Sequence, residues 1–153
     1  MNMDICEVVE DCWQSVTPDA TGRGIRLVSS IPECPVSLHA DGTRIRQIVL
    51  NLLTNAVKFT EAGGEVNLSV EQHPSEVVIR VKDTGRGISS DQLLTIFEMF
   101  QTGDGEGGGL GVGLAVVKGL TEVHGGTVQA TSPGPGGGSE FIVRLPNTVR
   151  SAA

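Results

Sequence analysis

The chain has 153 residues, of which 39% are hydrophobic and 19% are charged, so we expect a single globular domain over residues 1–153. The formal net charge of −7 argues against a nucleic-acid binder and against direct membrane contact, because binding DNA, RNA or anionic lipid needs a basic face. The three cysteines lack a C-x-x-C spacing and the N-terminus does not resemble a signal peptide, which favours free thiols and a cytoplasmic location.

The first half of the chain predicts two helices separated by two short strands. Asp4 and Glu7 have the spacing of a capping box, and apolar residues follow them on one helical face. Residues 24–30 and 35–40 predict strands on either side of a proline-containing turn. Over residues 43–59 the apolar positions repeat at the helical period, which predicts a long helix.

The second half predicts two hairpins with two helices between them. Alternating polarity indicates the strands, and apolar residues at helical spacing indicate the helices. In chain order these elements are strands 66–71 and 76–83, helices 89–100 and 114–124, and strands 127–132 and 140–146. The complete order, α-β-β-α-β-β-α-α-β-β, predicts an α+β fold in which helices lie on one face of a mixed, largely antiparallel sheet.

One side of the long helix carries an unusual polar stripe. Its members are Gln47, Asn51, Asn55 and Lys58. A solvated face would explain the stripe, although solvated faces are usually filled with Glu, Lys and Arg. A ligand site is the other explanation, because an asparagine oxygen can coordinate Mg2+ and a lysine one turn on can contact phosphate.

An acidic residue ends the predicted strand at 76–83, and two glycines follow it in the segment "VKDTGRGI". An ordinary Asp–Gly turn would account for this pattern. The functional interpretation is that a buried Asp83 accepts a hydrogen bond from the exocyclic amine of adenine. Gly85 and Gly87 would then let the base approach the backbone.

Glycines are dense between residues 103 and 113. The segment contains no P-loop motif, and its G-x-G-x-x-G pattern follows a predicted helix rather than a strand, which excludes the dinucleotide fingerprint. Gly109, Gly111 and Gly113 run directly into an apolar helix. Backbone N–H groups at the positive end of that helix could hold phosphates, and a flexible loop is the alternative.

Together these motifs resemble the boxes of the ATP-binding catalytic domain of sensor histidine kinases. The matching segments are "DGTRIRQIVLNLLTNAVKFT" for the N box, "DTGRGI" for the G1 box, "IFEMF" for the F box and "GGGLGVGLAVVKGLTEVHGG" for the G2 box. The resemblance covers nearly the whole chain. It implies the Bergerat-type ATP-binding fold of the gyrase, heat-shock chaperone, histidine kinase and MutL superfamily, which is a two-layer α/β sandwich.

The resemblance also implies a role for each motif. Asn51, Asn55 and Lys58 match the catalytic positions, where Asn55 is the Mg2+ ligand and Lys58 contacts phosphate. Asp83 matches the adenine-binding acid, and ATP and Mg2+ are the implied cofactors. The full set of implied ATP contacts is Asn51, Asn55, Lys58, Asp83, Gly85, Gly87, Ile88, Phe97, Gly109, Leu110, Gly111, Val112, Gly113 and Leu114.

The implied activity is that of a protein-histidine kinase catalytic domain, which presents Mg-ATP to a histidine on a separate helical domain. His39, His73 and His124 do not fit that phosphoacceptor, because one ends a strand, one lies in a turn and one matches the family's "HGG". The implied partners are therefore the histidine-bearing dimerisation domain of the same parent kinase and a downstream response regulator. Parent kinases of this kind can be membrane-anchored.

Two other functions share the fold. An ATP-driven clamp of the gyrase or chaperone type uses a glutamate as general base where this chain has Asn51, and an amide cannot accept a proton at neutral pH. A nucleotide-binding regulatory module without transfer activity is the second alternative. The segment at the family's lid, residues 101–108, keeps it open, because the segment is short and carries Asp104 and Glu106 with no basic residue.

Overall fold

A computed structural model describes residues 2–32, 36–97 and 109–147, and within these ranges all side chains except those of Asn2, Ser37, His39 and residues 109–112. The helices are α1 (Ile5–Gly22), α2 (Gly42–Phe59), α3 (Ser90–Thr95) and α4 (Gly109–Val123). The strands are β1 (Asn2–Asp4), β2 (Arg26–Ser30), β3 (Ser37–His39), β4 (Glu65–Gln72), β5 (Glu76–Asp83), β6 (Thr127–Thr131) and β7 (Ser139–Pro146).

Five strands form the main sheet, in the order β2-β4-β5-β7-β6. Strand β2 runs parallel to β4, and the other three pairings are antiparallel. In the central pair, Val81 lies opposite Phe141 and Asp83 lies opposite Ser139. The prediction of a mixed, largely antiparallel sheet is therefore confirmed.

The hydrophobic core lies between this sheet and helices α1, α2 and α4. Strands β4, β5 and β7 contribute alternate residues, because successive side chains of a strand point to opposite faces. Helix α2 contributes an apolar stripe at helical spacing. The fully buried members include Ile45, Ile48, Leu52, Leu53, Leu68, Ile79, Leu114 and Leu145. Each such side chain contributes roughly 1.5–3 kcal/mol to folding, so this face of the sheet holds the layers together.

The opposite face of the sheet is more polar and carries ion pairs between strands, although two of its apolar side chains are also buried. The Arg80 guanidinium lies 3.3 Å from Glu71 and 3.7 Å from Glu140, and the Arg144 guanidinium lies 3.0 Å from Glu76. The face toward the helices is apolar and the opposite face carries the ion pairs, which fixes the register, since a slip of one residue would exchange the two sets of side chains. Helices on one face and charges on the other confirm the predicted α+β two-layer sandwich.

The structure corrects the sequence prediction at the N-terminal end. The strand predicted at 35–40 is observed as β3, and it pairs with β1, a strand that was not predicted, instead of joining the five-stranded sheet. The Asp4 carboxylate explains part of this arrangement, because it accepts hydrogen bonds from Cys6 N and Val36 N, both at 3.1 Å. It therefore caps α1 and ties β3 to the start of that helix.

Two helix boundaries also differ from the prediction. Helix α3 begins with a capping box between Ser89 and Gln92 but ends at Thr95, short of the predicted residue 100, and residues 98–100 lie outside the described residues. Helix α4 begins at Gly109, before the predicted start at 114. Glycine disfavours a helix by about 1 kcal/mol, and the burial of Leu114 and Val117 in the core opposes that cost.

Candidate functional site

The polar stripe of α2 faces helix α4 over part of its length. Asn51 and Asn55 are half-buried, whereas Gln47 and Lys58 are exposed. The Asn51 side chain donates a hydrogen bond from Nδ2 to the Gly113 carbonyl oxygen at 3.4 Å. A Cβ on Gly113 would lie 3.9 Å from Asn55 Nδ2. The two asparagines therefore lie beside the N-terminal part of α4 and are not on a fully solvated face.

Asn55 has an unsatisfied hydrogen-bonding atom. Its Nδ2 is buried and has no hydrogen-bond partner within the described residues. Leaving such a group without a partner costs about 1–3 kcal/mol, so a bound ligand that accepted a hydrogen bond from it would be stabilised. Asn55 is in this respect suited to binding a ligand.

Asp83 ends strand β5 and is buried, with only 5% of its surface exposed. Its Oδ1 accepts a hydrogen bond from Gly85 N at 2.8 Å, and its Oδ2 accepts one from Ser139 Oγ at 2.9 Å. Burial raises the pKa of this carboxyl above its ordinary value, and the hydrogen bonds from Gly85 and Ser139 oppose that rise only in part. The burial of Asp83 that the sequence analysis expected is observed.

The two glycines after Asp83 are required by close backbone contacts. A Cβ on Gly85 would overlap with the Phe59 carbonyl oxygen, and a Cβ on Gly87 would overlap with the carbonyl oxygen of Gly134. Gly87 also has a φ of +75°, which a side chain would strain. The turn is thus packed between the C-terminal end of α2 and the β6–β7 connection, and this contact is a structural reason for both glycines.

These elements enclose a cavity with about 400 Å³ of empty space, part of it open to solvent. Its polar groups come from Asn55, Asp83, Arg86, Gln92 and Ser139. The remaining walls are formed by Ala56, Phe59, Gly87, Ile88 and Phe141. A cavity with mainly apolar walls and a few polar groups is typical of small-ligand sites.

Other predicted contacts lie at or beyond the edge of this cavity. Lys58 borders a second, more open cavity of about 860 Å³, which it shares with Phe59 and Arg86. Phe97 does not line the first cavity but supports its wall, because its ring packs edge-on against Phe141 with the centroids 6.1 Å apart.

The residues of α4 that were predicted to contact ATP are only partly described. Leu114 is fully buried in the core and does not line the cavity. For Gly109, Leu110, Gly111 and Val112 the structure describes the helical backbone alone. The predicted lid at 101–108 lies outside the described residues.

Sequence reasoning missed six residues that line the cavity, namely Ala56, Phe59, Arg86, Gln92, Ser139 and Phe141. Phe59 lies inside the N box and Arg86 inside the G1 box, so the resemblance to these boxes could have identified both as site residues. Ser139 and Phe141 lie on β7, far along the chain from Asp83. Only the register that pairs Asp83 with Ser139 brings them to the site.

Two of the three histidines make local contacts. His124 Nδ1 lies 2.9 Å from the Leu120 carbonyl oxygen, and its Nε2 accepts a hydrogen bond from Asp41 N at 3.3 Å. His73 Nε2 lies 3.0 Å from Glu71. These contacts favour structural roles at the end of α4 and in the β4–β5 turn.

Within the described ranges, no cluster of three or more His, Cys, Asp or Glu side chains could hold a metal ion by itself. No helix described for this chain is long and apolar enough to cross a membrane.

Comparison with known proteins places these features in a family. The sequence model of the histidine kinase-, DNA gyrase B- and HSP90-like ATPases matches residues 40–149. The sensor histidine kinase ZraS of Escherichia coli is 37% identical over 144 residues, which cover 94% of this chain and 30% of ZraS. The chain therefore spans less than a third of the length of this relative.

Solved structures agree with that match. The mycobacterial sensor histidine kinase MprB superposes with a TM-score of 0.85 at 26% identity, covering 96% of this chain and 98% of that one. Full-length ShkA in complex with AMPPNP superposes with a TM-score of 0.83 at 35% identity, covering 96% of this chain and 31% of ShkA. The chain belongs to the histidine kinase-, DNA gyrase B- and HSP90-like ATPase family, as an ATP-binding catalytic domain of the sensor histidine kinase type.

Proposed function

We propose that this domain binds Mg-ATP in the cavity between α2, β5 and β7 and presents the γ-phosphoryl group to a histidine on a separate helical domain. The observation that carries the proposal is the convergence of two groups on one cavity. One is the buried carboxylate of Asp83, and the other is Asn55 Nδ2, which has no hydrogen-bond partner among the described residues. Both are costly to bury, and an adenine nucleotide would satisfy both.

Asp83 is proposed to recognise adenine. Its carboxylate retains acceptor capacity after the bonds from Gly85 and Ser139, because two carboxylate oxygens offer about four lone pairs. The exocyclic amine of adenine can donate to it, whereas guanine presents a carbonyl oxygen at that position. Ala56, Ile88 and Phe141 supply apolar walls for the base.

Asn55 is proposed to supply a side-chain oxygen to Mg2+. The donors fit this ion, because Mg2+ accepts oxygen ligands and is usually held by one or two protein groups together with phosphates and water. Asn51 would orient the neighbouring part of the site through its bond to Gly113. Lys58 and the N-terminal backbone of α4 would contribute positive charge toward phosphates.

Catalysis by such a domain consists of positioning and charge stabilisation, since phosphoryl transfer needs little covalent chemistry from the protein. Bound Mg2+ would supply the charge that neutralises the phosphates. Asn51 stands where a hydrolytic clamp would need a base, so slow ATP hydrolysis by the isolated domain is expected.

The partners are proposed by analogy with longer relatives, which are sensor histidine kinases. They are the histidine-bearing dimerisation domain of the same parent kinase and a downstream response regulator in a phosphorelay. We propose that residues 1–153 act as one domain on the cytoplasmic side, whether or not the parent is membrane-anchored. A nucleotide-binding regulatory module without transfer activity is the second candidate, and the acidic residues Asp104 and Glu106 in the segment at the lid favour it.

The binding test compares ATP with GTP by calorimetry in the presence of Mg2+. Because one unpaired buried polar group costs about 1–3 kcal/mol, we expect ATP to bind the wild-type domain about tenfold or more tightly than GTP. Asp83→Asn should reduce that ratio. Equal affinities of the wild type for ATP and GTP would contradict adenine recognition by Asp83.

The transfer test uses radiolabelled ATP. The isolated domain should show almost no self-labelling and slow turnover, and labelling should appear when the cognate helical domain is added in trans. Replacing the phosphoacceptor histidine of that added domain is the control and should abolish the label. Binding without transfer to any added histidine would support the regulatory module instead.

A further inference from the structure

One arginine of this acidic chain differs from all the others that the structure describes. Arg86 forms no ion pair within the described residues, and its guanidinium lies 4.0 Å above the centre of the Phe59 ring. The other six described arginines each pair with a carboxylate. These pairs are Arg23 with Asp19, Arg26 with Glu65, Arg44 with Asp41, Arg46 with Asp11, Arg80 with Glu71 and Arg144 with Glu76.

The position of Arg86 is fixed by its own backbone. Arg86 N donates a hydrogen bond to the Phe59 carbonyl oxygen at 3.2 Å, and the Arg86 carbonyl oxygen accepts one from Gly136 N at 2.6 Å. The residue is thus attached to the end of α2 on one side and to the β6–β7 connection on the other. Its side chain starts from this fixed backbone and its guanidinium stacks on an aromatic ring, a favourable cation–π contact.

Arg86 also lies where the two cavities meet. It lines the cavity that holds Asp83 and Asn55, and it lines the open cavity that Lys58 borders. Phe59 is shared by both cavities in the same way. A ligand whose neutral base lies beside Asp83 and whose charged tail extends out of that cavity would pass the guanidinium.

We propose that Arg86 contacts the phosphate groups of the bound nucleotide, an inference that rests on the nucleotide binding proposed above. Arg86 pairs with no carboxylate among the described residues, so its guanidinium can offer its donors to phosphate without first breaking one of the ion pairs seen there. The chain carries a net charge of −7, and residues 101–108 contain Asp104 and Glu106 with no basic residue. In that surrounding, Arg86 supplies the cation that the lid segment lacks.

The test compares Arg86→Gln and Arg86→Lys with the wild-type domain. Arg23→Gln is the matched control, because Arg23 lines the open cavity but pairs with Asp19 and does not line the cavity of Asp83. Calorimetry with ATP, ADP and adenosine, each at low and high salt, measures the dissociation constants. A contact with a charged phosphate corresponds to a loss of about tenfold in ATP affinity for Arg86→Gln.

The expected pattern has three parts. ATP and ADP bind Arg86→Gln more weakly, adenosine binds it as well as it binds the wild type, and Arg86→Lys recovers part of the loss. The loss is also smaller at high salt, because salt screens an exposed charge. Arg23→Gln should bind all three ligands like the wild type.

Two results would overturn the inference. Unchanged ATP affinity in Arg86→Gln would show that no phosphate contact exists, and an equal loss for adenosine and ATP would show that Arg86 only shapes the wall through Phe59. A wild-type domain that binds neither ATP nor adenosine would instead overturn the proposed function itself. A thermal unfolding midpoint for each variant confirms that the protein measured is folded.

Discussion

The polar side chains on the outer face of the sheet differ from those around the cavity between α2, β5 and β7 in how they are paired. On the outer face, Arg80 and Arg144 are matched with nearby glutamates, and these charges remain partly in water. Around the cavity, and among the described residues, Asp83 is buried and forms no ion pair, Asn55 Nδ2 has no hydrogen-bond partner and Arg86 pairs with no carboxylate. The charged groups of the outer face have partners among the described residues, whereas these three groups around the cavity remain available to a ligand.

The difference indicates where the domain gives up stability for binding. A buried polar atom without a partner costs about 1–3 kcal/mol, whereas an exposed ion pair contributes only about 0–1 kcal/mol. Substitutions around the cavity should therefore separate stability from nucleotide affinity. Substitutions of the charged residues on the outer face should change stability and nucleotide affinity only slightly.

The largest effect is expected from Gly85→Ala. The added Cβ would overlap with the Phe59 carbonyl oxygen, so the G1 turn would have to leave the end of α2. We expect a loss of about 3 kcal/mol or more in the free energy of unfolding, measured by urea denaturation. Gly119→Ala is the control, because nothing lies within 4 Å of a Cβ at this helical position. It should stabilise the domain by about 0.5–1 kcal/mol, and a similar loss in both variants would contradict the close contact at Gly85.

The next effect is expected from Asn55→Leu. Removing the unpartnered Nδ2 from a helix should raise the free energy of unfolding by about 1 kcal/mol, because both the polar atom and a weak helix former are lost. Mg-ATP affinity should fall by about tenfold or more, since one magnesium ligand is removed. Gln47→Leu, at an exposed position of the same helix, should leave ATP affinity unchanged. Destabilisation of Asn55→Leu together with normal ATP binding would assign Asn55 a purely structural role.

The third effect concerns pH and Asp83. Because burial raises the pKa of this carboxyl, its proton favours the folded state, and that contribution is lost as pH rises from its ordinary pKa through the raised value. Asp83→Asn carries no charge, so its stability relative to the wild type should be greatest at neutral pH and should shrink as the pH falls. Urea unfolding of both proteins between about pH 4 and pH 8 measures this difference, the lower limit being near the ordinary pKa of Asp. A difference that grows toward acid would mean that the carboxylate is stabilised by the fold.

The smallest effect is expected from Arg80→Gln on the outer face. Arg80 is partly exposed and pairs with Glu71 and Glu140 across strands. Loss of these pairs should lower the free energy of unfolding by no more than about 1 kcal/mol, with unchanged ATP affinity. A large loss of ATP affinity in this variant would contradict the claim that the charged residues of the outer face do not contribute to nucleotide binding.

Much of the fold could be predicted from periodicity. The long helix was expected at 43–59 and is observed at Gly42–Phe59, and the strand expected at 76–83 is observed as Glu76–Asp83. These elements have strong apolar patterns that agree with their burial. The predicted strand 35–40 was placed correctly but its partner β1 was not predicted, because three-residue strands have too few residues to show a pattern.

The candidate site could be predicted in part. Asn51, Asn55 and Asp83 were identified from their residue types and positions, and the structure brings them to the region between α2, α4 and β5. Their roles in binding ATP and Mg2+ stay predictions. Leu114 and Phe97 do not line the cavity, since one is fully buried in the core and the other packs against Phe141.

The sequence by itself determined the order of the helices and strands from α1 onward, the polar stripe of α2 and the acid at the end of β5, since local spacing and residue type decide these features. Only the tertiary structure decided that Ser139 bonds to Asp83, that Phe59 and the β6–β7 connection enclose the glycine turn, and that Arg86 stacks on the Phe59 ring. These contacts join residues distant along the chain. They depend on sheet register and helix packing, which no local pattern specifies.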